Sequence, residues 1–416
     1  MLTNTTNRDI IIIGQQPWDT EIGSNCKDIA LEMSKSNRVL YVNSPLDRAT
    51  RMLSRKDPKI NKRVNVIKGK ETGLVKIKEN LWNLYPDCMV ESINWINSGF
   101  IFDTINKKNN QKFAKSIKRA LEVLDFKDYI LFNDNEMFKG FYLKDYLKPE
   151  CSIYYSRDYM LAVDYWKKHG KRLEPLLISK SDVCMANSTY LSDYCKKYNS
   201  NSFYVGQGCD LKMFGDVPQI PEELKKIKKP IVGYVGALQS IRLDINLIAE
   251  IATARPEWSI VLVGPEDEKF KSSILHTLSN VIFLGMRPVL ALPGYINSFD
   301  VCINPQVINE VTVGNYPRKI DEYLAMGKAV VATRTRAMDI FKDHVYLASG
   351  KDEYLKSIEN ALAQDSPLLS IQRKEFAGLH TWENCVQEIY KILDDHLPQP
   401  KHLEVNTHTE RDTTLI

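Results

Sequence analysis

A lysine and a glutamate three positions apart, Lys319 and Glu322, open the segment YPRKIDEYLAMG (316–327). Residues at i and i+3 share a helix face, so a cation and a carboxylate would project together if this segment is helical. Pro317 in its first turn and Gly327 at its end are the residues that helix termini favour. The loop TVGNY (312–316) leads into it, and free amides at a helix start suit an anion. By spacing alone, a solvated helix face explains the pair equally well. Other reactive chemistry is sparse. The eight cysteines (Cys26, Cys88, Cys151, Cys184, Cys195, Cys209, Cys302 and Cys385) form no C-x-x-C pair and no zinc spacing. Several sit in apolar runs such as DVCINP and DVCMAN, where cysteine behaves as a small hydrophobe. No G-x-G-x-x-G follows IIIIG or PIVGYVG, which argues against a dinucleotide-dependent oxidoreductase. No D-x-D stands in a setting that suggests a metal. His169, in the polar string WKKHGKR, is the only histidine before residue 207 and reads as a surface residue.

These groups need a scaffold, and the chain supplies two. With 416 residues, 44% of them hydrophobic and 26% charged, it is too long for one core at roughly 100–200 residues per domain and too apolar to be disordered. A formal charge of +4 over this length argues against a nucleic-acid binder. In the first half, IIIIG (10–14), RVLYVN (38–43), DYILFND (128–134), SIYYS (152–156), DVCMANS (182–188) and SFYVG (202–206) are continuous apolar runs. NCKDIALEMSK, AKSIKRALEVL and STYLSDYCKKY between them have helical spacing. Solid apolar strands alternating with helices predict a parallel sheet covered on both faces. The proline-rich segment 207–229 breaks the pattern and is read as a linker. The alternation then restarts with PIVGYVG (230–236), DINLIAEIATARPEW capped by Asp244, SIVLVG (259–264), KSSILHTLS, NVIFLG (280–285), LPGYINSF, DVCINP (300–305) and KAVVATR (328–334). The expected fold class is therefore α/β, with two Rossmann-like domains (1–206 and 230–380) facing a cleft. Ligands are expected beyond the carboxyl ends of the strands. The final residues, 397–416, are polar and aperiodic and read as a disordered tail. No apolar stretch approaches the ~18 residues of a spanning helix, and a cytoplasmic protein in a reducing compartment is expected.

The second half resembles the glycosyltransferases of the GT-B fold, most closely the retaining group 1 (GT4) family. GYVGALQSIRLD (233–244), WSIVLVGP (258–265), NVIFLGMRP (280–288), FDVCINP (299–305) and YPRKIDEYLAMGKAVVAT (316–333) carry the likeness, in the family's order. The first half is similar more loosely, through IIIIGQQPWDTEIGSN, YYSRDY, SKSDVCMANSTYL and VGQGCDLKMF. The whole looks most like bacterial teichuronic-acid or capsular polysaccharide transferases. The resemblance implies a hexosyl group moved from a nucleotide-diphosphate sugar to a glycan, lipid-linked acceptor for a cell-surface polysaccharide. It also implies a helix at 381–396 that crosses back to the first domain, with Trp382 marking the crossing.

What the family implies for the site follows residue by residue. Arg242 and Lys319 are the cations expected on the leaving diphosphate, and Glu322 is expected on the donor ribose. Gly314 and Asn315 are expected to offer main-chain groups to the sugar, Gly236 to close beside the phosphates, and Gly285, Met286 and Arg287 to flank the base. Two departures stand out. Gly314 lies where the family has the first glutamate of a pair, and Ala237 lies where it usually has an arginine, so either Arg242 is expected to serve twice or another basic residue, such as Arg318 or Arg287, to substitute for the missing cation. In the first domain Gly14, Gly23 and Ser24 are expected near the diphosphate and Asp19 to orient a reacting hydroxyl. Trp18, Asn133, Asp134 and Asp158 are expected on the acceptor. No metal or other cofactor is expected. The stretch 48–70 carries nine basic residues against one acid, Asp57, with Met52 and Leu53 interleaved. It is a candidate for peripheral contact with an anionic membrane at the inner face. The competing functions are a sugar-nucleotide 2-epimerase of the same fold and a non-catalytic binding subunit.

Overall fold

The computed structural model describes residues 5–20, 23–214 and 219–397. All but the first residue of the tail expected at 397–416 lie outside the described residues, as do 215–218 of the linker.

The first domain is built on the strands β1 (Asp9–Gly14), β2 (Arg38–Asn43), β3 (Leu74–Lys78), β4 (Leu81–Leu84), β5 (Ile130–Asp134), β6 (Cys151–Ser156), β7 (Val183–Ala186) and β8 (Ser202–Tyr204). They lie in the order β8-β7-β6-β5-β1-β2-β4-β3, parallel except for β3 against β4. Ile10 to Ile13 are at most 1% exposed, the burial expected of a strand covered on both faces. The β3–β4 pair was not legible as apolar runs. LVKIK is an edge strand whose last three residues are exposed, and its lysines keep the edge from pairing further. Around this sheet lie α1 (Asn25–Met33), α2 (Arg48–Leu53), α3 (Pro58–Ile67), α4 (Gly99–Leu124), α5 (Asp164–Lys180) and α6 (Thr189–Lys196).

The second domain contains β9 (Ile231–Val235), α7 (Ile245–Ala254), β10 (Ser259–Val263), β11 (Val281–Gly285), β12 (Val301–Asn304), α8 (Lys319–Ala325), β13 (Ala329–Thr333) and β14 (Tyr346–Ala348). Its sheet is all-parallel in the order β11-β10-β9-β12-β13-β14. Connections leave β9 in one direction and return beside β12 in the other, so a crevice opens at the carboxyl ends of these two strands. Asp244 caps α7, accepting from the Leu247 amide at 3.0 Å. KSSILHTLS, expected as a helix, instead forms two short turns at Glu268–Lys271 and Ile274–Thr277.

The last helix, α9 (Trp382–His396), packs on the first domain. Cys385, Val386, Ile389, Ile392 and Leu393 join a core with Cys26, Ile29, Ala30 and Met33 of α1. The Asn37 amide donates to the Tyr390 hydroxyl at 2.7 Å. Trp382 lies so close to the linker that a Cβ on Gly208 would stand 2.3 Å from its ring. His169 corrects its sequence reading. It is 5% exposed, stacked on Phe102 at 3.8 Å, with Nε2 2.8 Å from the Ile96 carbonyl. Its apolar neighbours come from a distant helix, which local polarity could not reveal.

Candidate active site

A cleft of about 540 Å³ opens at the crevice of the second sheet, lined by Gly236, Ala237, Arg242, Asn304, Gln306, Asn315, Arg318, Lys319 and Glu322, with Gly23 facing from the first domain. Its floor depends on a backbone that few residues tolerate. Gly236 ends β9 at φ +144°, a region closed to side chains. An added Cβ would lie 3.2 Å from the Lys319 ammonium and 2.9 Å from the Tyr234 hydroxyl. Lys319 donates to that hydroxyl at 2.7 Å and lies 4.6 Å from the centre of its ring, which aims the cation along the β9 end. Tyr234 was not singled out by sequence, because its position in an apolar strand looks like ordinary core.

Lys319 and Glu322 do share a cleft-facing side of α8, but the helix is shorter than 317–327. It starts at Lys319 and ends at Ala325, with Pro317 and Arg318 in a leading turn whose carbonyls accept from Ile320 and Asp321. Burial raises the Glu322 carboxyl above its ordinary range, while Arg318 and Lys319 pull it back down. The Arg318 Nε is buried without a protein partner, as are the Asn304 Nδ2 at the end of β12 and the Ser24 Oγ at the start of α1. Buried polar atoms normally find partners, and Arg318 and Asn304 line the cleft. Arg318 reaches toward the first domain, where a Cβ on Gly23 would be 3.8 Å from its Nη1. Arg242 is on a loop strapped to the β12 exit, since its carbonyl accepts from the Val307 amide at 2.9 Å.

In the first domain, the carboxyl end of β6 is organised by Arg157, from YYSRDY. Its guanidinium donates to Asp134, to Asp158 and to the Gln15 side chain, each at 2.8 Å. Burial opposes its charge, but Asp134 and Asp158 outweigh burial and hold its pKa above the ordinary arginine range. The Asp158 carboxyl is raised by its surroundings against the pull of Arg157 and of Arg242 on the other domain. Its side chain is 41% exposed. Arg157 was missed because one arginine between a serine and an aspartate carries no spacing signal.

The remaining expected residues are placed as follows. Asn133 folds its own turn, accepting from the Glu136 amide at 2.9 Å, and Asp134 is fully buried under Arg157. Trp18 packs edge-on against Tyr41 at 5.1 Å in the first-domain core, and Asp19 is paired with Arg63 at 2.8 Å. Gly14 is required by packing, since a Cβ there would meet the Tyr41 hydroxyl at 2.1 Å. Gly285 turns the chain after β11 at φ +67°. Met286 is 75% exposed, and Arg287 is taken up by Tyr295 at 2.7 Å and Glu223 at 3.0 Å. Of the two substitutes for the missing cation, only Arg318 faces the cleft. Gly314 touches the other domain: its carbonyl accepts from the Ser188 hydroxyl at 2.8 Å, and a Cβ would stand 2.4 Å from the Tyr190 ring. The stretch 48–70 folds as α2 and α3; α2 buries none of its residues. Beneath α8, the buried Asp321 accepts from Tyr316 at 2.8 Å and pairs with His380 at 2.6 Å, tying the helix to the chain that enters α9. Among the described residues, no group of three or more His, Cys, Asp or Glu is placed to hold a metal ion. No helix there is long and apolar enough to cross a membrane.

Residues 229–364, the domain that supplies most of this cleft, match the family described as Glycosyl transferases group 1. The teichuronic acid biosynthesis glycosyltransferase TuaH of Bacillus subtilis (strain 168) is 26% identical over 246 residues, covering 56% of this chain. The match spans 61% of that relative's length. Among solved structures, sucrose-phosphate synthase of Thermosynechococcus elongatus superimposes with a TM-score of 0.64 at 14% identity, over 94% of this chain and 99% of the other. HepE of Anabaena, solved in complex with UDP, gives 0.63 at 14% identity, over 93% and 100%. The chain therefore has the two-domain GT-B fold, and residues 229–364 of its second domain are similar to the group 1 glycosyl transferases.

Proposed function

We propose that the protein transfers a hexosyl group from a nucleotide-diphosphate sugar to a lipid-linked glycan acceptor, with retention of anomeric configuration and without a metal, in making a surface polysaccharide. The observation that carries this reading is the convergence of Arg242, Arg318 and Lys319 on one cleft at the sheet's switch point, with the Arg318 Nε and Asn304 Nδ2 unpartnered there. As the anomeric bond to the diphosphate breaks, negative charge grows on the departing oxygen. Fixed cations stabilise that charge most when it is largest, which lowers the barrier. The acceptor hydroxyl oxygen forms the new bond to the anomeric carbon, and its proton leaves with the nucleoside diphosphate. Glu322, one helical turn past Lys319, is suited to accept from the ribose hydroxyls. Arg157 and Asp158 of the first domain, the latter within reach of the charge of Arg242, are suited to orient the acceptor. The UDP-bound relative and the name of the Bacillus relative support a uridine nucleotide and a polysaccharide product.

The test is a thermal-shift series with UDP-, GDP-, ADP- and dTDP-sugars. A donor at a hundred times its Kd should stabilise the fold by about 2.7 kcal/mol. The responding donor, radiolabelled in the sugar, should then lose label to acceptor or to water at a measurable rate, in the presence of EDTA. Binding without turnover would support the non-catalytic reading, and no response to any nucleotide sugar would overturn the proposal.

A further inference from the structure

A second cavity, of about 700 Å³, lies wholly within the first domain, between the loop leading into α2 and the helices α4 and α5. It is larger than the cleft described above and within the size range of small-molecule sites. Its walls include Leu53, Ile93, Trp95, Phe138, Tyr165 and Trp166. Most of the polar side chains that also line it are already bonded within the protein, the buried Asn94 Oδ1 being left without a partner. The Asn106 amide donates to the Phe138 carbonyl at 3.0 Å. Asn109 accepts from the Glu91 amide and donates to its carbonyl, at 2.9 and 3.0 Å. Glu136 accepts from the Phe138 and Lys139 amides, and Asp47 from Thr50 and Ser92. What remains to meet a ligand is mostly ring faces and aliphatic carbon. An aromatic wall with free polar planes would suit a sugar, but this one has few left and suits a hydrocarbon.

The two ends of the cavity differ. At its mouth stand Leu53, 86% exposed, Trp95, 76%, and Tyr165, 54%. At the inner end is Gln15, bonded to Arg157, which in turn holds Asp158. Lys139 also lines it, its ammonium 2.8 Å from the Ser44 hydroxyl. Exposed apolar side chains clustered around an apolar void mark an interaction site, and Lys139, which lines the cavity with Gln15, is the cation placed to meet a phosphate between the hydrocarbon and the glycan.

We infer that this cavity binds the hydrocarbon part of an amphiphilic, phosphate-bearing acceptor as a single molecule, with its glycan end leading past Gln15 into the transfer cleft. The inference rests on the transferase reading for the direction of the acceptor, though not for the occupancy of the cavity.

Isothermal calorimetry on the full chain with farnesyl phosphate, below its aggregation concentration, tests it. Saturable one-to-one binding is expected, with inorganic phosphate alone silent. Leu53→Asp at the mouth and Trp95→Ala in the wall should each weaken binding at least tenfold. Both positions are exposed, so folding should survive, and the nucleotide-sugar thermal shift should stay at the wild-type value. Absence of farnesyl phosphate binding in a protein that still responds to nucleotide sugars would overturn this inference and leave the function standing. Binding that both variants leave unchanged would overturn it too. So would adsorption to anionic phosphatidylglycerol vesicles without capture of the single lipid, which would reassign the patch to a membrane surface. Farnesyl phosphate binding of the expected sensitivity, in a protein that takes no nucleotide, would uphold the cavity while removing the transferase.

Discussion

At the scale of single residues, the cleft separates groups by what surrounds them. Glu322 has a carboxyl raised by burial, so in the folded protein its proton is held more tightly than in the unfolded chain. The sign follows directly: ionised Glu322 costs stability above the unfolded pKa, and that cost fades as pH falls through the folded value. Glu322→Gln should therefore leave the unliganded protein at least as stable at pH 7, measured by thermal melting. The same change should weaken donor binding ten- to a hundredfold, since a charge-assisted hydrogen bond contributes roughly 1.5–3 kcal/mol. Wild-type donor affinity should fall on acidification through that raised pKa, whereas the glutamine variant should titrate flat. Equal profiles for the two proteins would remove Glu322 from the donor site. Arg318, with its buried Nε unpartnered, is expected to act on the departing diphosphate. Arg318→Met should lower kcat more than it raises KM, and a pure KM effect in steady-state kinetics would count against that role.

At the scale of elements, β9 and α8 act through each other. Lys319 begins α8, and its direction is set by Tyr234 at 2.7 Å and by the bare backbone of Gly236. Gly236→Ala forces a side chain into a strained conformation worth about 1–3 kcal/mol and pushes on the Lys319 ammonium. Melting temperature and turnover should fall together, with turnover lost even where the protein remains folded. Unchanged turnover in a folded Gly236→Ala protein would show that the direction of Lys319 does not matter. Much of this element-level order was legible from sequence: the solid apolar strands and the Asp244 cap. The β3–β4 pair and the shortened α8 were not. An edge strand is half solvated and keeps no continuous apolar run, and the first turn at Pro317 is set by loop contacts.

At the scale of the whole molecule, the two domains are joined by more than the linker. Helix α9 completes the first domain's core, and Ser188 holds the Gly314 carbonyl across the interface. Ile389, fully buried against the first sheet's layer, lies far along the sequence from the residues it covers. Ile389→Ala should cost about 2–5 kcal/mol. Hydrogen exchange should show protection lost first in α1 and the first sheet, with the second sheet retained. Loss confined to the second domain would contradict the crossing. Gly314→Ala should meet the Tyr190 ring and displace one domain from the other, seen as a change in radius by small-angle scattering; an unaltered profile would mean the interface yields locally.

The sequence by itself determined the α/β class, the parallel body of both sheets and the cations and carboxylate at 318–322, because periodicity and helix-end chemistry are local properties of the chain. Tertiary structure alone decided which of those charges face the cleft. Arg287, equal to Arg318 in the sequence, is taken up by Glu223 and Tyr295, and Asp134 is buried under Arg157. It also turned polar-looking His169 inward and opened an apolar cavity between segments more than a hundred residues apart, such as Leu53 and Trp166. A charge finds its partner, and a void its walls, through contacts between distant segments, and no window of sequence contains them.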